Sequence, residues 1–221
     1  AFTNIKTLAK ININPDAKIG NLIFYKSNNI DDATIGGDYC LESYFGEKAK
    51  IKNLFINGNC VNNINRDNDF LEQLEINCDK VGDWAFYNNT NLKNVCLNIR
   101  VFGAWSFAYC KNIESIMIPP AVDFIEMNTF RYCSSLKEIF ILSDSFVKFG
   151  PNAFYGVNDN ACFYVNSSDE YLNDSLWSNF KSQILEFKEK NKEIDITEDV
   201  FDFQWKNNFE VQKITIGNNL K

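Results

Sequence analysis

Residues 81–97 read VGDWAFYNNTNLKNVCL, residues 101–118 read VFGAWSFAYCKNIESIMI, and residues 125–141 read IEMNTFRYCSSLKEIFI. Aligned on Phe86, these stretches place apolar residues six, nine and eleven positions later, at Leu92, Val95 and Leu97. Phe107 repeats the spacing with Ile113, Ile116 and Ile118, and Phe130 with Leu136, Ile139 and Ile141. Phe45 (Ile51, Leu54, Ile56) and Phe2 (Leu8, Ile11, Ile13) fit the same template. Chance supplies one such match easily, but not five in a single register. Side chains alternate along a strand, so the last two apolar residues of each copy share a face and the residue between them points away. One unit of this kind cannot bury its apolar face alone, whereas stacked copies can.

Further copies are degraded. One has Leu71, Leu74 and Ile76 but Asn65 at the anchor. Another has Phe154, Phe163 and Val165, with Asn160 breaking the first apolar position. A third has Trp205 as anchor, followed by Val211, Ile214 and Ile216. Between Ile13 and Phe45 no clean unit is visible, and that stretch is either a divergent repeat or an insertion. A corner motif precedes the anchors: Gly82 to Phe86, Gly103 to Phe107 and Gly150 to Phe154, with Glu126 replacing the glycine before Phe130. Glycine there suits the positive φ that tight corners demand, and the small residue before phenylalanine lets the ring turn inward.

The unit is about 20 to 24 residues long, within the range of leucine-rich repeats. In detail it resembles the BspA-like leucine-rich repeats, whose unit reads roughly I-G-x-x-A-F-x-x-C-x-x-L-x-x-I-x-I-P. Cys110 and Cys133 occupy the cysteine position, with Asn89 in the unit before. The resemblance implies a leucine-rich-repeat solenoid: short strands in one sheet, turns at the A-F corners, and one longer helix over roughly Ser168 to Ile184. The expected organisation is a divergent repeat region over 1–44, clear repeats over 45–166, a helical closing segment over 167–190 and the start of a further repeat over 191–221. With Ala1-Phe2 at one end and VQKITIGNNLK at the other, the chain reads as part of a longer repeat protein. The family is associated with secreted or cell-surface proteins that adhere to host or matrix partners. The implied function is therefore non-catalytic recognition of a protein or glycan through the exposed sheet face. The alternative is a structural spacer or intracellular scaffold with no dedicated ligand.

Composition narrows the classes further. A net charge of -7 and a pI near 4.8 argue against nucleic-acid binding, which needs basic surface to meet phosphates. No apolar run approaches the ~20 residues a membrane-spanning helix requires. Histidine is absent, which removes the commonest general base and the commonest zinc ligand. Seven cysteines with no C-x-x-C pair give poor support to a metal cluster. No catalytic residue, metal ligand or cofactor is expected.

The candidate contact residues are outward ones. Between the last two apolar residues of successive copies stand Phe55, Glu75, Cys96, Met117, Phe140 and Tyr164. An apolar ladder on an exposed sheet suggests a contact surface; alternatively it packs beneath the N-terminal segment or a neighbouring module. Trp84 and Trp105 share a register and should stack at the corner, as an anchor for a protein or carbohydrate or as a seal on the repeat edge. Asn14, Asn57, Asn77, Asn98 and Asn166 follow the strands and suit a structural ladder. Asp67, Asp69 and Asp159 lack the spacing of a calcium loop and read as solvated turns. Sequons at Asn88, Asn166 and Asn173 are expected by chance in so asparagine-rich a chain.

Overall fold

The computed structural model describes residues 6–14, 29–37, 50–58, 60–61, 66–187, 195–196 and 215–216. The anchors Phe2, Phe45 and Trp205, and with them Asn65, Val211 and Ile214, lie outside these. In chain order the strands are β1 (Leu8–Ile13), β2 (Ile30–Gly37), β3 (Ile51–Gly58), β4 (Cys60–Val61), β5 (Gln73–Asn77), β6 (Lys80–Val81), β7 (Asn94–Asn98) and β8 (Val101–Phe102). They continue as β9 (Ser115–Ile118), β10 (Phe124–Ile125), β11 (Glu138–Ile141), β12 (Lys148–Phe149), β13 (Cys162–Val165), β14 (Ile184–Glu186), β15 (Asp195–Ile196) and β16 (Thr215–Ile216).

The fold is a leucine-rich-repeat solenoid. The L-x-x-I-x-I segments form parallel ladders in the orders β1-β2-β3-β5-β7 and β9-β11-β13-β14, with β7 and β9 adjacent. Register follows the repeat, Leu74 lying opposite both Leu54 and Val95, and Ile139 opposite Ile116. In the coils of β3, β5, β7, β9 and β11 a second side carries two-residue strands, in the orders β4-β6-β8 and β10-β12. The third side is made of turns and holds the anchors Phe86, Phe107, Phe130 and Phe154. The unassigned stretch before Phe45 contains a repeat strand, because Ile30, Ala33 and Ile35 of β2 pair with Leu8, Ile11 and Ile13 on one side and with Ile51, Leu54 and Ile56 on the other. With alanine admitted, the template fits from Phe24 onward. Residues 195–196 and 215–216 pair in parallel, twenty residues apart in register.

On the turn side, coils are joined by main-chain bonds. Trp84, Phe86 and Asn88 donate their N–H groups to the carbonyls of Ala104 (2.9 Å), Ser106 (2.8 Å) and Ala108 (2.8 Å). Trp105, Phe107 and Tyr109 donate likewise to Met127, Thr129 and Arg131. Stacking the backbones this closely stacks the anchors, with Phe86–Phe107, Phe107–Phe130 and Phe130–Phe154 centroids 5.4, 5.8 and 5.6 Å apart and nearly parallel. All four rings are buried. Offset stacking of this kind adds roughly 0.5–1.5 kcal/mol per pair beyond burial.

The corner glycines serve a different purpose from the one expected. The left-handed residues of the motif are Trp84, Trp105, Asn128 and Asn152, with φ of 61°, 60°, 58° and 58°. A second left-handed column follows the anchors at Asn88, Tyr109, Tyr132 and Gly156. Gly103 is required by proximity instead, since a Cβ there would lie 2.3 Å from the Gly82 carbonyl carbon and 2.4 Å from the Asp83 nitrogen.

The expected closing helix is also broken. A five-residue helix α1 (Asp169–Asn173) is followed by a 3-10 run over Trp177–Gln183, and Ile184 opens β14, parallel to β13. The Asp174 carboxylate accepts the N–H groups of Leu176 (2.8 Å) and Trp177 (3.3 Å), which turns the chain out of the α-helix. Trp177 then drops fully into the core, where its indole N–H donates to the Val147 carbonyl (3.1 Å). The rings of Phe149, Phe163 and Tyr171 meet it edge-on.

Cys110 and Cys133 are free, buried thiols that donate to the carbonyls of Phe86 (3.2 Å) and Phe107 (3.1 Å) in the preceding coil. Burial pushes the Cys110 thiol up to about 12 and raises that of Cys133. Along the sheet border a column of alternating charge runs Lys52, Glu72, Lys93, Glu114, Lys137. The Lys52–Glu72 and Lys137–Glu114 pairs close at 3.8 and 2.8 Å.

Two outcomes are expected. Gly103→Ala forces backbone apart between coils and should destabilise the chain by at least about 1–3 kcal/mol, read as a lower urea midpoint; an unchanged midpoint would mean the coils are not in contact there. Iodoacetamide at pH 8 should leave Cys110 and Cys133 unmodified in the folded chain, because a raised thiol pKa keeps them protonated, and should alkylate both in denaturant, as read by peptide mass mapping.

Candidate functional site

The outward ladder does not form a bare strip. Glu75 lies opposite Phe55 and Cys96, and Phe140 opposite Met117 and Tyr164, as the repeat requires. Cys96, Met117 and Phe140, however, are only 5%, 3% and 2% exposed, while Phe55, Glu75 and Tyr164 are half-buried. Phe140 and Tyr164 stack at 4.8 Å, and the row continues to Phe187. Burial raises the Cys96 thiol to about 11 and raises the hydroxyl of Tyr164 and the carboxyl of Glu138. Of the expected contact residues, Cys96, Met117 and Phe140 therefore sit inside the protein.

The turn side presents a different surface. Trp84 and Trp105 do stack, with centroids 4.7 Å apart and planes within 4°. The left-handed backbone at these positions turns the indoles away from the anchors, so both stay half-buried while Phe86 and Phe107 go in. Non-glycine residues in this conformation cost about 1–2 kcal/mol each, which the ring contacts offset. Arg66 lies over Trp84 at 5.1 Å and Arg131 over Trp105 at 5.7 Å, giving a cation–ring–ring–cation order. Each indole thus has one face against the other indole and a guanidinium over it, which leaves little open face for a sugar ring to stack upon.

Beside this column runs a row of tyrosines. Tyr87–Tyr109, Tyr109–Tyr132 and Tyr132–Tyr155 are separated by 5.4, 5.0 and 5.5 Å. Arg131 joins the two rows, its guanidinium carbon also lying 4.9 Å from the Tyr132 ring and 4.8 Å from the Tyr155 ring. Its Nη1 donates to Asn128 Oδ1 (3.2 Å), an asparagine in the Trp105 register. Gly156 makes room for this row, because a Cβ there would lie 2.5 Å from the Tyr132 ring. Met127 and Tyr155 border it at 42% and 52% exposure.

Sequence reasoning found the two tryptophans of this ribbon and missed Arg66, Arg131 and the tyrosines. The signal was present: the two positions after each anchor read Tyr87-Asn88, Ala108-Tyr109, Arg131-Tyr132 and Tyr155-Gly156.

Other polar features tie coils together. Asn98 donates to Asn77 (2.8 Å) and Asn77 to Asn57 (3.1 Å), so the asparagine column is a hydrogen-bonded ladder. Asn166 donates to Ser143 O (3.2 Å) and Asp144 Oδ1 (2.9 Å). Asp67 accepts from Asn88 (2.7 Å), and among the described residues no cluster of three potential metal ligands occurs. Among the same residues no helix is long and apolar enough to cross a membrane.

No curated protein matches the chain. Among solved structures it is similar to a leucine-rich repeat protein from Bacteroides ovatus, with 18% identity over 83% of this chain and a TM-score of 0.46. The match spans 58% of that protein's length. The model of the BspA type leucine rich repeat region matches residues 1–93 and 68–184, in six copies. That model covers well over half of the sequence, and the chain belongs to the BspA-type leucine-rich repeat family.

Proposed function

We propose that the chain is a non-catalytic protein-recognition module of a secreted or cell-surface repeat protein, and that its contact surface is the ribbon of Trp84, Trp105, Arg131 and the tyrosines. The observation that carries this reading is the arginine held over three aromatic rings beside exposed Met127 and Tyr155. Arginine, tyrosine, tryptophan and methionine are the residue types enriched at protein interfaces. The family supports a protein-interaction role. Adhesion to a host or matrix protein is the finer form of the proposal. A rigid spacer is the second reading, favoured by the burial of Cys96, Met117 and Phe140 on the sheet face.

The test is binding of the chain to an array of extracellular matrix and cell-surface proteins, with wild type compared to the Met127→Ser, Tyr155→Ser double variant. Both residues are surface-exposed, so the fold should survive. A partner that binds wild type and weakens by about tenfold or more with the variant, roughly 1.4 kcal/mol, supports the ribbon. Binding that the variant leaves untouched places the contact elsewhere, and an array with no partner favours the spacer.

A further inference from the structure

Arg131 lies over three aromatic rings, where Arg66 lies over two and Lys50 over one. The chain carries 29 acidic and 22 basic residues, yet among the described residues no carboxylate pairs with this guanidinium. The ion pairs among the described residues are Lys52–Glu72 and Lys137–Glu114, both at the start of the sheet strands. Arg131 is held instead by the faces of Trp105, Tyr132 and Tyr155 and by one hydrogen bond to Asn128. Its Nε is buried and has no hydrogen-bond partner among the described residues, and none is made by Nη2.

Taking the ribbon as the contact surface, we propose that Arg131 is its recognition centre and binds a carboxylate, the side chain of an aspartate or glutamate in a segment of a partner protein. Charge complementarity is the argument. A guanidinium is a planar fork whose two terminal nitrogens match the two oxygens of a carboxylate, and with Nε buried it is this Nη1–Nη2 end that meets a partner. Half-sheltering by three rings lowers the local dielectric, so a carboxylate gains more here than beside a fully solvated lysine. The side chain is already ordered by its ring contacts, so little rotamer freedom is lost on binding. Exposed Met127 and Tyr155 offer apolar contact to the residues flanking the acid, which suits a peptide.

The full chain is used to select from a displayed random-peptide library. Enriched peptides are resynthesised with each aspartate or glutamate replaced by asparagine or glutamine. Each pair is titrated against wild type, Arg131→Gln, Arg131→Lys and Tyr155→Ser, with the unfolding midpoint of every variant recorded. Neutralising the acid should weaken binding to wild type by about tenfold or more, and Arg131→Gln should bind acidic and amide peptides alike. Arg131→Lys keeps the charge without the fork and should fall between the two, which preserves the test if the glutamine variant unfolds. Peptides that weaken with Tyr155→Ser but ignore both their acids and Arg131 would overturn the carboxylate assignment while leaving the ribbon in place. Peptides indifferent to both substitutions, or no enrichment at all, would overturn the ribbon as contact surface and this proposal with it.

Discussion

The distance between the backbones of successive coils governs almost everything else in this molecule. On the turn side it is set where Gly103 nests against Gly82, with no room for a Cβ, and by the N–H groups of Trp84, Phe86 and Asn88 reaching the next coil. Once the coils are that close, equivalent side chains must lie about 5 Å apart, close to the spacing of neighbouring strands. Only residues that gain from touching their own kind suit such columns. Aromatic rings do, which accounts for the phenylalanine stack inside, and asparagines do by passing one hydrogen bond along the row.

The legible part of the fold was the part with period. Anchors, apolar triplets and the asparagine row could be placed from spacing alone, because each recurs at one point of most coils. The unit at Ile30, Ala33 and Ile35 escaped because alanine does not register as apolar bulk, although a small residue fits where strands on both sides are already paired. The glycine motif revealed that a corner exists but not which residue turns left-handed; Asn128 and Asn152, residues that tolerate this conformation, were the better clue. The helix over Ser168 to Ile184 had the right polarity but was diverted by the Asp174 side chain and the pull of a buried tryptophan site.

The candidate site was legible only in part, for a related reason. Alternation tells which face of a strand a residue takes, but not what else in the protein lies upon that face. Phe55, Cys96, Met117 and Phe140 share one outward row, yet the last three are buried. Trp84 and Trp105 were found because they repeat in one register. Arg131 occurs once, with tyrosine or alanine at the same point of neighbouring coils, so no periodic search selects it. Residues that recur hold the coils together, whereas those that interrupt a column give one stretch of the surface a character of its own.

The border column of Lys52, Glu72, Lys93, Glu114 and Lys137 carries an evolutionary corollary. Its pairs are solvent-exposed and individually weak, of the order of 0.2–1 kcal/mol. Their signs alternate from coil to coil, so loss or duplication of any single interior coil would set like charges side by side: without the coil bearing Lys93, Glu72 would meet Glu114. Within this stretch the array has a parity, and it grows or shrinks without electrostatic conflict only by even numbers of coils.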